Sequence, residues 1–302
     1  MIPPDTPAIK AVILGGNGAM GALFCASFAG AGIAVTAVDL APAPAARQAD
    51  TAYIAADVRA LPEDAGRALA AADWVVAALP EGVLLETWPD IVALLKPGTL
   101  FVDTLSVKLP LIDAMAGRLP ASIEALSINP MFAPALGFAG QNVAVVELRR
   151  AGHADQFLGL LQQWGARLQR LDAAQHDRYA AMLQSATHAA ILAFGLALRR
   201  LGYEPEGVQP IMTPPHRALL ALLARMLKAS PEVYWDIQAM NPYAGEARQA
   251  LADGLHELTI AIEGGDPARF RHLLAGLQDL LGAERLAELN EHSARMLRRD
   301  AD

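Results

Sequence analysis

Cysteine is almost missing from this sequence: Cys25 is the single one, so no disulfide forms within the chain, and no CxxC pair or Cys/His cluster offers a metal site. A reducing, cytoplasmic setting with no metal is the expectation. Charge is thin as well, at 19% of residues, and its balance of 24 basic against 32 acidic groups gives a net −8. That sign opposes a phosphate backbone, which excludes nucleic acid as a partner. Residues 11–38 carry no charge at all and are long enough to span a bilayer. Six glycines interrupt the run, and the preceding MIPPDTPAIK lacks the basic flank of a signal peptide. A buried strand, helix and strand is expected there, and no membrane partner.

Apolar residues, by contrast, are abundant: they make up 54% of 302 positions, enough for two cores, and two domains are expected at this length. From residue 9 to 172, short runs rich in Val and Ile alternate with helix-like segments. Strands are predicted at 9–14, 33–40, 51–56, 74–80, 99–106, 122–129, 142–148 and 167–172. Strands separated by helices imply crossover connections, hence an α/β, Rossmann-type, doubly wound parallel sheet. Beyond Asp172 the pattern becomes helical throughout, with segments at 173–202, 216–229, 243–263, 267–281 and 283–299 and loops at YEPEG (203–207) and TPP (213–215). The predicted division is therefore 1–172 and an all-helical 173–302.

The stretch GGNGAMG (15–21) holds Gly16, Gly18 and Gly21 in GxGxxG spacing, directly after a strand and at the opening of a helix. Gly16 allows the tight turn, Gly18 lets the backbone approach a pyrophosphate, and Gly21 lets the helix pack closely. Asn17, Ala19 and Met20 complete the loop and the first helical turn, whose N–H groups favour phosphate. Asp39 closes the second strand, where a carboxylate accepts from both ribose hydroxyls and repels a 2′-phosphate. NAD is therefore expected over NADP, although Arg47 follows a few residues later. Leu79 and Pro80, at the end of the 74–80 strand, are read as further cofactor contacts.

A second group of polar residues stands in apolar surroundings. Ser106 and Lys108 follow the strand at 99–106 and Asn129 ends the next, which brings all three to the carboxyl edge of the sheet, where such folds bind ligands. In the helical half, Gln184 and His188 are four apart on one long helix, and Arg217 and Arg225 are eight apart on another. Guanidinium groups on an apolar helix point to an anionic small molecule. Each also has a plain structural reading: a core histidine, surface or dimer-interface arginines, and a serine capping the helix before Lys108.

In order, DTLSVK, NPMFAPALGFAGQNVAVVE, WGARLQRLDAAQHDR and SATHAAILAFGLAL resemble the prephenate/arogenate dehydrogenase family, most of all the dehydrogenase half of bifunctional chorismate mutase/prephenate dehydrogenases. No mutase segment is expected ahead of residue 9. The resemblance spans nearly the whole chain. It implies a dinucleotide-binding domain (1–172), a helical dimerisation and substrate domain (173–302), a homodimer through the C-terminal helices, and NAD-dependent oxidative decarboxylation of a cyclohexadiene. It further implies that Ser106 orders the reacting group, that His188 lies near nicotinamide and substrate, and that Arg225, with Arg217 beside it, grips a substrate carboxylate.

One position departs from the family. Where its catalytic histidine opens a His-Pro-Met-Phe-Gly-Pro type stretch, this chain has Asn129-Pro130-Met131-Phe132-Ala133-Pro134. A positioned general base is worth about 10²–10⁴ in rate, and asparagine cannot act as one. An amine at C4 needs no base in that step, because its nitrogen lone pair expels the hydride. The substitution therefore favours 4-amino-4-deoxyprephenate, giving 4-aminophenylpyruvate. The alternatives are a prephenate or arogenate dehydrogenase with its base elsewhere, an inactive NAD-binding descendant, and a β-hydroxyacid dehydrogenase.

Overall fold

The computed structural model describes residues 9–44 and 51–299. Two compact units divide the chain: residues 1–180 together with 235–242, and residues 181–234 together with 243–302.

The first unit is built on one eight-stranded sheet of order β3-β2-β1-β4-β5-β6-β7-β8. The strands are β1 (Lys10–Leu14), β2 (Ala34–Asp39), β3 (Thr51–Ala55), β4 (Trp74–Ala77), β5 (Leu100–Asp103), β6 (Glu124–Pro130), β7 (Asn142–Arg149) and β8 (Arg167–Arg170). β1 to β6 are mutually parallel because a helix returns the chain after most of them: α1 (Ala19–Gly30), α2 (Glu63–Ala71), α3 (Glu81–Ala93) and α4 (Leu109–Met115). β7 departs from the all-parallel expectation and runs antiparallel to β6. The connection 131–141 holds only a 3₁₀ turn, too little for a crossover. The helix α5 (Gly152–Gln163) then restores a parallel β8. The uncharged run 11–38 thus divides into β1, α1 and β2.

Helices cover both faces of the sheet. On one, Phe24 and Phe28 of α1 pack with Phe157 and Leu161 of α5; on the other, Leu69, Leu84, Ile91 and Leu111 come from α2, α3 and α4. Burying each such side chain stabilises the fold by about 1.5–3 kcal/mol. The order of strands reverses between β1 and β4, so the chain leaves these two in opposite directions and opens a crevice at their carboxyl ends. A helix α6 (Ala173–Ala180) completes this unit with the segment 235–242.

The second unit is helical. A π-helical turn at Ala181–Ala186 leads into α7 (Thr187–Arg200), followed by a short α8 (Pro205–Val208), where a loop was predicted, then α9 (Pro214–Lys228), α10 (Pro231–Ala239), α11 (Ala244–Glu263), α12 (Pro267–Leu281) and α13 (Ala283–Arg299). The last turn of α10 belongs to the first unit. Local chemistry sets these ends: Asp266 caps α12 by accepting from Ala268 and Arg269 N–H, Pro267 opens it, and Gly282 closes it at φ 74°. Leu255, Ile262, Leu277 and Leu280 remain exposed on this unit. Ala173–Arg200 is long and apolar enough to cross a bilayer by length and composition alone.

Candidate active site

The glycine loop is built by steric exclusion. Gly15 adopts φ 77°, and a Cβ there would sit 2.2 Å from the Ala78 carbonyl oxygen; one on Gly21 would sit 2.1 Å from that of Gly15. No side chain fits at either place. Gly15 was not among the residues singled out by the GxGxxG spacing, and its lack of a side chain lets the turn after β1 approach the end of β4. Gly16 lies against Ala37, and Gly18 caps α1 with no side-chain hydrogen bond and no acidic residue in the first turn. Ala19 and Met20 begin that helix, and their N–H groups face outward from its positive end.

Asp39 ends β2 beside the loop. Its carboxylate accepts from Asn17 N–H and from Ala41 N–H, both at 2.9 Å, which fixes it with lone pairs to spare for ribose hydroxyls. Asn17 holds the far side of the loop through its amide, donating to Ala41 and Pro42 carbonyls, while its own Oδ1 is buried with no partner among the described residues. Leu79 and Pro80 lie between β4 and α3, Leu79 against the Gly15 turn. A helix end, a closely approachable backbone, a carboxylate at the neighbouring strand and an unmet acceptor together fit a dinucleotide. Arg47 lies outside the described residues. Cys25, buried in α1, has its thiol pushed up to about 11, chiefly by burial, and is no nucleophile.

The second cluster assembles at the ends of β5 and β6. Lys108 is fully buried, and its ammonium donates to Asp103 Oδ1 (3.3 Å), Leu105 O (2.7 Å) and Ile128 O (2.7 Å). Burial pulls its pKa below the ordinary lysine range, against the pull of Asp103. Ser106 stands half-buried on the bend between β5 and α4, and among the described residues its hydroxyl has no hydrogen-bond partner. It does not cap α4: the first N–H groups there, of Lys108 and Leu109, donate at 2.8 Å to the two carboxylate oxygens of Asp177.

Asn129, near the end of β6, is 2% exposed, and its amide nitrogen meets His176 Nε2 at 3.1 Å. His176 Nδ1 lies 2.7 Å from Asp177 Oδ1. Asn241 donates to the Asp177 carbonyl from the returning segment. His176 and Asp177 were not recognised as site residues in the sequence, where QHDR read as the start of a long helix and as part of a stretch that carries the family resemblance. The available signal, a histidine followed by an aspartate, sits among the polar Asp172, Gln175 and Arg178 and does not stand out.

Glu81 was equally silent. It opens α3 beside Pro80, both its carboxyl oxygens are buried without partners among the described residues, and its own N–H donates to Asp236 at 3.1 Å. Burial, then the nearby Asp236 charge, push its pKa up to about 8 from 4.5. The folded protein therefore holds a proton that the unfolded chain has lost between these values. This contribution to stability is complete below pH 4.5 and lost as pH rises through 8. Glu81→Gln is expected to stabilise the protein at pH 9 by several kcal/mol more than at pH 5, at roughly 1.4 kcal/mol per pK unit. Urea unfolding at the two values checks this; an equal effect at both would show that Glu81 keeps an ordinary pKa.

In the helical unit, Gln184 falls within the π turn and His188 in the first turn of α7. Among the described residues Gln184 Oε1 and His188 Nδ1 are both buried without hydrogen-bond partners, and the His188 ring stands edge-on to Tyr234 at 4.9 Å. Burial, then the charge of Arg225, lowers the pKa of His188. π turns mark functional positions often enough that unmet polar atoms beside one point to a ligand. Arg225 and Arg217 are both exposed on α9.

A Rossmann-type sheet with a dinucleotide cradle, followed by a helical unit with an unburied apolar surface, defines a two-part dehydrogenase. Residues 172–276 match the family model for the prephenate dehydrogenase dimerization domain. The chain is 44% identical over 290 residues, 95% of its length and 96% of the relative's, to a 4-amino-4-deoxyprephenate dehydrogenase of Streptomyces pristinaespiralis. It is 32% identical over 227 residues, 75% of this chain and 55% of the relative, to the T-protein of Enterobacter agglomerans. Among solved structures, the prephenate dehydrogenase of A. aeolicus in complex with hydroxyphenyl propionate and NAD+ superposes with TM-score 0.69 at 14% identity, covering 92% of this chain and 99% of that one, a likeness of fold. The chain belongs to the prephenate dehydrogenase family of oxidoreductases. Likeness over this length sets aside the β-hydroxyacid alternative.

Proposed function

We propose that the protein converts 4-amino-4-deoxyprephenate and NAD to 4-aminophenylpyruvate, CO₂ and NADH. The observation that carries this reading is Asn129: the end of β6 holds an amide, buried and anchored to His176, at the position where the family's base stands. The 44% identical relative, named for the amino substrate, supports it.

NAD, when bound, takes the C4 hydrogen with its electron pair. Gly16, Asn17, Gly18, Ala19, Met20 and Gly21 would hold its pyrophosphate, Asp39 its ribose, and Leu79 and Pro80 its flank. The Asp39 carboxylate, which repels a 2′-phosphate, favours NAD over NADP. In the substrate, a neutral amine at C4 stabilises the electron-poor carbon left behind. Loss of CO₂ then returns an electron pair to the ring, and the aromatic amine forms with no proton removed. An alcohol makes a far poorer donor and needs its proton taken as the hydride leaves. Ser106 and Asn129 would orient the reacting nitrogen, with His188, Gln184, Arg225 and Arg217 serving the substrate from the helical domain, 173–302. The family's dimerisation domain and the exposed apolar helices support a homodimer, and the single buried thiol suits a reducing cytoplasm.

With purified protein, NAD and the amino substrate, NADH, CO₂ and 4-aminophenylpyruvate are expected in equal amounts. NADH without an aromatic product would overturn the reaction assigned, and no NADH would return the chain to a binding role.

A further inference from the structure

The contacts around Asn129 determine more than its position. An asparagine amide has a donor end and an acceptor end, and which one faces a ligand is set by what holds the other. Two backbone N–H groups already donate to Asp177, so the 2.7 Å contact from His176 is a donation from Nδ1–H to that carboxylate. Burial lowers the pKa of His176, so its ring is neutral near pH 7. A neutral imidazole with its proton on Nδ1 has only a lone pair at Nε2. The group 3.1 Å from Nε2 must then be the NH₂ of Asn129. Its carbonyl oxygen is left for the substrate.

We infer that His176, held by Asp177, is a positioning residue that fixes the Asn129 amide with its nitrogen turned into the protein and its oxygen offered to the C4 nitrogen of the substrate. This rests on the amino-substrate reading and deepens it. An acceptor at C4 engages an N–H of the amine and leaves the nitrogen lone pair to drive hydride loss. A donor there would bind that lone pair and withdraw it from the reaction. An alcohol tolerates either end, because its oxygen has a second lone pair. The orientation of one amide thus discriminates amine from alcohol, and His176 enforces it from inside the protein. The other charged groups around the His176 ring are Lys108, which precedes α4, and Asp103, which ends β5.

The test uses the full-length protein, unmodified and as His176→Met and His176→Gln. Methionine fills the space without a comparable acceptor, whereas glutamine restores one. His176→Met is expected to lose on the order of 10- to 100-fold in kcat/KM for the amino substrate, with KM for NAD unchanged and a smaller loss for prephenate. The ratio of the two activities should therefore fall, and His176→Gln should recover most of it. Nitrogen NMR of the unmodified protein, with the His176 signal assigned by its loss in His176→Gln, is expected to show Nδ1 protonated and Nε2 bare at neutral pH.

A folded His176→Met with the activity ratio unchanged would overturn the inference, as would the opposite tautomer or a charged ring. If His176→Met does not fold, the tautomer and the glutamine variant decide. Failure of the amino-substrate reading shows separately, as a preference of the unmodified protein for prephenate, which the tautomer measurement does not touch.

Discussion

Lys108→Met is expected to lower the unfolding free energy by about 3–5 kcal/mol, the range for removing one partner of a buried ion pair. The lysine is wholly inside the protein, and each proton of its ammonium has an acceptor: Asp103, Leu105 O and Ile128 O. Methionine fills much of the space and supplies none of those donors. Asp103 is then left as a buried charge whose Oδ2 has no partner among the described residues even in the unmodified protein. The carbonyls of Leu105, just after β5, and Ile128, in β6, lose their donor too, so the loss falls on the backbone next to Ser106 and Asn129. Urea unfolding measures it, and pairing the change with Asp103→Leu should recover a large part by removing the stranded charge. A loss under about 1 kcal/mol would mean that the site opens to water and solvates Asp103 at little cost.

Asn129→His is expected to raise kcat/KM for prephenate by about 10²–10⁴, the value of a positioned general base. Turnover of the amino substrate should change far less, because the bare nitrogen of the new ring is again an acceptor at C4. The new imidazole would sit against His176 Nε2, where Asn129 now donates at 3.1 Å. It would therefore donate one N–H inward and present its other nitrogen as a base. Steady-state rates on both substrates read the exchange. If prephenate turnover stays at the level of the unmodified protein, Asn129 is not what withholds it.

The sheet was legible because Val- and Ile-rich runs of strand length recur between helical segments, and each of the eight predicted strands coincides with an observed one. The direction of β7 was not, since strand composition is the same whichever way the chain runs and only the missing helix in 131–141 betrays it. α10 escaped notice because SPEVYWDIQAM mixes β-branched and aromatic residues without a clear 3.6-residue period, although Pro231 at its start is a helix-opening signal. In the site, residues at strand ends could be read from their place in the pattern. Asp103, Glu81, His176 and Asp177 could not, because their importance lies in being buried together. That property belongs to the fold and not to any local stretch. Ser106 shows the converse: a serine before a helix looks like a cap, yet Asp177, some seventy residues on, takes those N–H groups.

The central claim is that an amide at position 129 selects an amine at C4. The most direct test is NADH formation by the unmodified protein, offered 4-amino-4-deoxyprephenate and prephenate in parallel with NAD. A kcat/KM greater for the amine by about 10² or more is the result predicted from the value of the missing base. Equal values, or a preference for prephenate, would contradict it and require another group in the site to act as that base.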